Sequence, residues 1–213
     1  MGRFKVENSM RTAEPLTVQP AVQNLVFPTT FEKYTIALDR DGVLIECADV
    51  VSGPDTFKPI DKAFRAVAII RSKGHKVVIL FDQPGVIQRR VTIDQVEDCN
   101  KYMLKLLGDA GCISIDGIWY NTSRRKDDLY AKPNLGLFKH AESNSPGVKM
   151  AGGVYVGDTI DDLVMADKAG ATPVLVLTGK GQKTAERLKN PIYRLLQSKV
   201  KIYDNLMQFA ESL

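Results

Sequence analysis

The chain alternates between two periodicities, and this alternation restricts its fold more than any other feature. Six short, nearly continuous apolar runs recur along it: YTIALD (34–39), KVVILF (76–81), DGIWYN (116–121), GGVYVGD (152–158), TPVLVLT (172–178) and VKIYD (200–204). Runs of this length without a polar alternate suit strands buried on both faces. Between them lie segments with helical spacing, DKAFRAVAIIRSKG (61–74), TIDQVEDCNKYMLKLLGDAG (92–111), NLGLFKHAES (134–143) and IDDLVMADKAG (160–170), with NLMQFAESL (205–213) last. Thr92 and Gln95 form a capping-box pair, and Gly74 ends the helix before it. The repetition predicts an α/β, Rossmann-like three-layer fold: a central parallel sheet, helices on both faces and right-handed crossovers. Ligands bind such sheets beyond the carboxyl ends of the strands. That puts the loops at 39–43, 81–86, 121–132 and 157–162 on one rim.

With 213 residues, 44% of them hydrophobic and 25% charged, the chain has enough material for one domain with a full core. Residues 1–30 contain Pro15, Pro20 and Pro28 and little periodicity, so they read as an extension, lying on the domain or poorly ordered, ahead of a domain spanning 31–213. A net charge of +4 is too small to argue nucleic-acid binding by itself. The run Arg124-Arg125-Lys126 reads as a solvated loop. Cys47, Cys99 and Cys112 form no CxxC and no Cys/His cluster, so neither zinc nor a disulfide framework is expected. A reducing, intracellular and cytoplasmic setting is the default, with no membrane association, since no apolar run is long enough to span a bilayer. A mitochondrial location is the alternative, although Glu7 and Glu14 fall where a presequence should lack acids, and Val6 stands where a myristoylation signal needs Ser or Thr.

Three rim segments carry chemistry. In ALDRDGVLI (37–45) a strand ends in Asp39, with Asp41 two residues on and Gly42 positioned for a sharp turn. Two carboxylates at one sheet edge repel, so one takes a proton or a hard cation such as Mg²⁺ joins them. Alternatively they divide the work, Asp39 as an ionised nucleophile and Asp41 as an acid. A plain Asp-Gly turn after a strand weighs about equally against both readings. In VYVGDTIDDL (154–163) another strand ends at Asp158, and Asp161 and Asp162 open a helix, where acids also serve as caps. Asp39 and Asp158 on one rim can share a cation. In YAKPNLGLF (130–138), Pro133 favours an extended Lys132, aiming its amine at the rim. Elsewhere, TGKGQKT (178–184) lacks a full P-loop pattern and reads as a plain loop. His75 precedes a strand far from the rim and reads as a surface residue; His140 has no partner in reach by spacing.

Taken together, these segments resemble the haloacid dehalogenase (HAD) superfamily of phosphohydrolases. DRDGV, the Gln-x-Gly of DQPGV and KPNLGL are most similar to its histidinol-phosphatase and D,D-heptose 1,7-bisphosphate phosphatase branch, which has no large cap domain. The resemblance implies Asp39 as nucleophile, Asp41 as acid and base, and Lys132 as the group steadying nucleophile and phosphoryl oxygens. It implies Mg²⁺ held by Asp39, the backbone carbonyl of Asp41 and Asp158, supported by Asp162. It implies Arg40, Gln83 and Gly85 at the substrate. Three positions depart from the pattern. Phe81 stands where the family has Thr or Ser, followed by Asp82 for the usual Asn. Ala131 stands where an Arg is common. The segment NTSRRKDDLYA lacks the Cys/His zinc loop of many relatives. Asp82 would repel a phosphate dianion unless it points away or pairs with an Arg such as Arg89. The expected activity is a Mg²⁺-dependent phosphatase of a small metabolite such as a sugar phosphate. The alternatives are a catalytically weak or inactive HAD-fold protein acting as a structural or assembly partner, its N-terminal extension able to dock on that partner, and a polynucleotide 3′-phosphatase, which the low net charge disfavours.

Overall fold

The computed structural model describes residues 34–48, 50–123 and 127–213. The expected extension over 1–30 and the Arg124-Arg125-Lys126 loop lie outside the described residues. The elements follow in the order β1 (Thr35–Leu38), α1 (Ala63–Ser72), β2 (Lys76–Asp82), α2 (Ile93–Asp109), β3 (Gly117–Asn121), α3 (Gly136–Asn144) and β4 (Val154–Gly157). The chain continues through α4 (Ile160–Lys168), β5 (Thr172–Val176), α5 (Gly181–Leu188), α6 (Arg194–Gln197), β6 (Lys201–Tyr203) and α7 (Leu206–Ser212). All six strands are parallel, in the order β3-β2-β1-β4-β5-β6. The fold is the α/β Rossmann-like sandwich the alternation predicts, without an inserted cap domain among the described residues.

The pleat divides the strands between two cores. Ile36, Leu38, Val77, Ile79, Phe81, Val154 and Val156 face α1, α2 and α7. Their alternates Ala37, Val78, Leu80 and Tyr155 face α3 and α4. Successive side chains point to opposite faces of a strand, so a run buried on both faces must be apolar at every position. Ile36, Leu38, Ile79 and Leu80 are fully buried, each contributing about 1.5–3 kcal/mol. A third cluster, with Leu163, Leu175, Leu188 and Leu196, packs α4, α5 and α6 around β5.

Two expectations change. The segment read as a loop at 178–184 becomes the entry to α5, whose buried positions are only Gly181, Thr184 and Leu188. One apolar residue among them gives too weak a stripe to mark a helix. His75 is buried rather than on the surface. Its ring lies against Tyr34 with centroids 4.2 Å apart, and its carbonyl accepts a hydrogen bond from Arg71 at 2.7 Å. The ring is covered by Tyr34, the residue before β1, which a strand-entry position alone does not reveal.

The capping box at α2 forms as the sequence indicates: Gln95 N–H donates to Thr92 Oγ1 at 3.2 Å, and Gln95 Oε1 accepts from Thr92 N–H at 2.8 Å. Thr92→Ala should therefore lower stability by about 1 kcal/mol, and Thr92→Ser should keep most of it. Urea unfolding of both variants measures this; equal losses for Ala and Ser would show that the cap contributes nothing.

Candidate active site

β1 pairs with β2 on one side and β4 on the other, so the chain leaves β1 at the point where strand order reverses. A crevice opens at such a switch point. Asp39 sits at its floor, where its N–H donates to the Val156 carbonyl at 2.9 Å and its Oδ1 accepts from Arg40 N–H at 2.8 Å. Asp158, the residue after β4, is thereby brought beside it. Two glycines make this approach feasible. Gly42 has φ +87°, and a Cβ there would run into the Asp158 carboxylate. Gly179 has φ +56°, and a Cβ there would strike both that carboxylate and Gly42 Cα. Left-handed backbone and close approach both require glycine.

Asp39, Asp158 and Asp162 each bring a carboxylate oxygen within 4.8 Å of the others, and all three are buried. Lys132 Nζ lies 2.8 Å from Asp39 Oδ2 and 2.7 Å from Asp162 Oδ1, with Tyr155 Oη at 3.4 Å. Asp162 is also the third residue of a second capping box: its Oδ2 accepts from Thr159 N–H at 3.0 Å and Thr159 Oγ1 at 2.6 Å. One residue thus serves the helix with one oxygen and Lys132 with the other. Asp158 Oδ2 accepts from Lys180 N–H at 2.7 Å, with the Cys47 thiol 3.5 Å away. A cleft of about 410 Å³ opens above, lined by Asp39, Asp41, Gln83, Gly85, Lys132 and Asp158 among others.

The electrostatics follow from burial. Burial raises the Asp39 pKa well above the usual carboxylate range; Lys132 opposes this, and Asp162, Asp158 and Asp41 add to it. Burial and then Asp162 push Asp158 up to about 6. Burial pulls the Lys132 ammonium down, but Asp162 and Asp39 outweigh it and hold the group well above the ordinary lysine value. A single ammonium therefore faces three buried carboxylates. This all-oxygen donor set and its excess of negative charge fit Mg²⁺, which prefers carboxylates and retained waters.

The structure brings together most residues singled out from the sequence and relocates others. Asp41 lines the cleft, but its carboxylate stands apart from the three clustered acids and pairs with Arg40 Nη2 at 2.9 Å. Arg40, expected at the substrate, is fully buried beneath the cleft and does not line it. Phe81 does not line the cleft either. β2 runs one residue further than its apolar run suggests, so the pleat turns Phe81 into the α2-side core and puts Asp82 on the cleft wall. Asp82 accepts from Asn121 Nδ2 at 3.1 Å and from Lys132 N–H at 3.3 Å, rather than pairing with Arg89. Its pKa is raised by burial, against the pull of Lys132. Sequence reasoning missed Thr178, Lys180, Thr184 and Tyr155. Thr178 Oγ1 donates to the Gly42 carbonyl at 2.6 Å, Thr184 Oγ1 to the Asp158 carbonyl at 2.7 Å, and Tyr155 Oη to the Leu80 carbonyl at 2.9 Å. The available signal was position, since residues 178–184 follow a rim strand.

Comparison with known proteins agrees with this geometry. A HAD-hydrolase-like family model matches residues 129–198. D-glycero-beta-D-manno-heptose-1,7-bisphosphate 7-phosphatase of Bordetella bronchiseptica is 31% identical over 152 residues, covering 70% of this chain and 83% of that protein. The enzyme of that name from Neisseria meningitidis is 29% identical over 178 residues, covering 83% and 92%. The crystal structure of D,D-heptose 1,7-bisphosphate phosphatase from B. bronchiseptica, complexed with magnesium and phosphate, superposes with a TM-score of 0.75 at 26% identity, covering 84% of this chain and 97% of that one. The chain belongs to the HAD-like family of phosphatases, phosphomonoester hydrolases built on this fold.

With Asp158 pushed up to about 6, protons would compete with a cation at this site. Mg²⁺ affinity should rise from about pH 5 to about pH 8, because Asp158 and Asp39, both raised by burial, must give up protons to take the ion. Calorimetric titrations from about pH 5 to about pH 8 measure this; affinity independent of pH across that range would contradict it.

Proposed function

We propose that the chain is a magnesium-dependent phosphatase of a small phosphorylated sugar, acting through an aspartyl-phosphate on Asp39. The observation that carries this reading is the convergence of Lys132 and the acid trio on Asp39 at the floor of an open cleft. Asp39, Asp158 and Asp162 would hold the metal. Bound magnesium would offset the charge on the phosphoryl oxygens and favour the ionised form of Asp39. An Asp39 carboxylate oxygen attacks phosphorus and the ester P–O bond breaks. Asp41, on the cleft wall, gives its proton to the leaving alkoxide. Asp41 then takes a proton from water, whose oxygen attacks phosphorus as the acyl P–O bond breaks, restoring Asp39 and releasing inorganic phosphate. Lys132, held by Asp39 and Asp162, supplies fixed positive charge where the transferring group spreads its negative charge.

The substrate class rests on the relatives, whose names specify a heptose bisphosphate, and on a cleft of about 410 Å³, within the range of small-molecule sites. Phosphate release should be measured with Mg²⁺ on a panel of sugar phosphates that includes heptose 1,7-bisphosphate. The wild type should turn over at least one member. Asp39→Asn should lose roughly 10³-fold or more, and Asp41→Asn about 10²–10⁴-fold. A folded wild type that binds Mg²⁺ and releases phosphate from none of them overturns the proposal.

A further inference from the structure

Arg40 and Phe81 have no direct place in the cleft, yet they lie immediately beneath it. The Arg40 guanidinium is stacked on the Phe81 ring, its carbon 3.9 Å from the ring centroid. Phe81 is in turn stacked on Tyr120, with centroids 5.4 Å apart and planes 22° from parallel. Tyr120 Oη donates to Glu97 Oε1 at 2.6 Å, tying the outer ring to α2. At the opposite end, Arg40 Nη2 reaches both oxygens of Asp41, at 3.2 and 2.9 Å, and Gln83 Oε1 at 3.4 Å. Among the described residues, Arg40 Nε and Nη1 have no hydrogen-bond partner, although both are buried. Asp41 is the only carboxylate in salt-bridge contact with this guanidinium among the described residues.

We infer that Phe81 and Arg40 are positioning residues for Asp41. A buried guanidinium with one charged partner interacts with it through a low dielectric, so the pair is tightly coupled. The flat Phe81 face restricts the guanidinium to one plane and so fixes the direction from which Nη2 holds the Asp41 carboxylate. Asp41 is partly exposed while Arg40 is not. Its orientation over the cleft is therefore set from below by the stack, not by the solvent side. The aromatic at position 81 acts on the reaction through Arg40. This rests on the phosphatase reading above for its kinetic consequences only.

Two measurements test it. Arg40→Met fills the same space without the charge, and Phe81→Leu removes the π face. Each should lower kcat by roughly tenfold to a hundredfold with KM within about twofold, as expected when a reacting group is misplaced but the binding site is intact. The double variant should be no worse than Arg40→Met alone, because both changes act on one element. Additive losses, or wild-type kcat in Arg40→Met, overturn the inference. So does a loss of kcat that merely tracks a lowered urea midpoint. The second measurement needs no turnover. Asp41→Ala leaves Arg40 buried without its partner and should lower the urea midpoint, and adding Arg40→Met should restore it. A midpoint unaffected by Asp41→Ala, or not restored by the second change, also overturns it. A silent wild type would sink the phosphatase reading, while the unfolding pair would still decide whether Asp41 is anchored from below.

Discussion

Everything at the rim is arranged around one buried ammonium and the carboxylates that face it. Lys132 Nζ touches Asp39 and Asp162 at 2.8 and 2.7 Å, with hardly any of the three side chains exposed. Moving such charges out of water costs several kcal/mol per ion and is recovered only when the remaining lone pairs are satisfied. The surrounding structure meets that condition. Asp39 takes the Arg40 N–H, Asp162 takes the Thr159 N–H and hydroxyl, and Asp158 takes the Lys180 N–H. These donors come from the ends of β1, β4 and β5 and the starts of α4 and α5. The cluster therefore constrains how the strands end, and the glycines at 42 and 179 are where that constraint meets the backbone.

The sheet was legible in the sequence because a parallel sheet covered on both faces needs apolar residues at every strand position, and few other arrangements do. The strand order was not legible. Nothing in YTIALD or GGVYVGD states that β1 and β4 are neighbours, yet that pairing brings Asp39 to Asp158. The acids, Lys132, Gln83 and Gly85 could be placed at the rim because each follows a strand. Lys180 and Thr184 follow one too, but lie in a segment whose polar composition hid a helix.

Phe81 shows how a one-residue uncertainty in strand length changes a functional reading. If β2 ended at Phe81, the ring would sit at the rim in place of a phosphate-binding group. Because β2 continues to Asp82, the period of two assigns Phe81 to the core and Asp82 to the cleft. The residue that departs from the family's Thr or Ser packs beneath the cleft against Arg40, which holds Asp41. Asp82, by contrast, adds a partly buried acid to the cleft wall, held by an amide and a backbone N–H.

The same acids that equip the site also oppose the fold when no cation is present. Asp158 shows the sign of the effect. Its ordinary value is 3.8 and its folded value is about 6, so the folded chain binds the proton more tightly than the unfolded chain does. Folding therefore takes up a proton between those two values. The contribution of this group to stability declines as pH rises through that window and is level above it. A divalent cation held by the assembled trio would offset this penalty, because the unfolded chain does not present the three carboxylates together. On the proposed reading, occupancy of the site would thus be coupled to the stability of the rim, through the same carboxylates that surround Lys132.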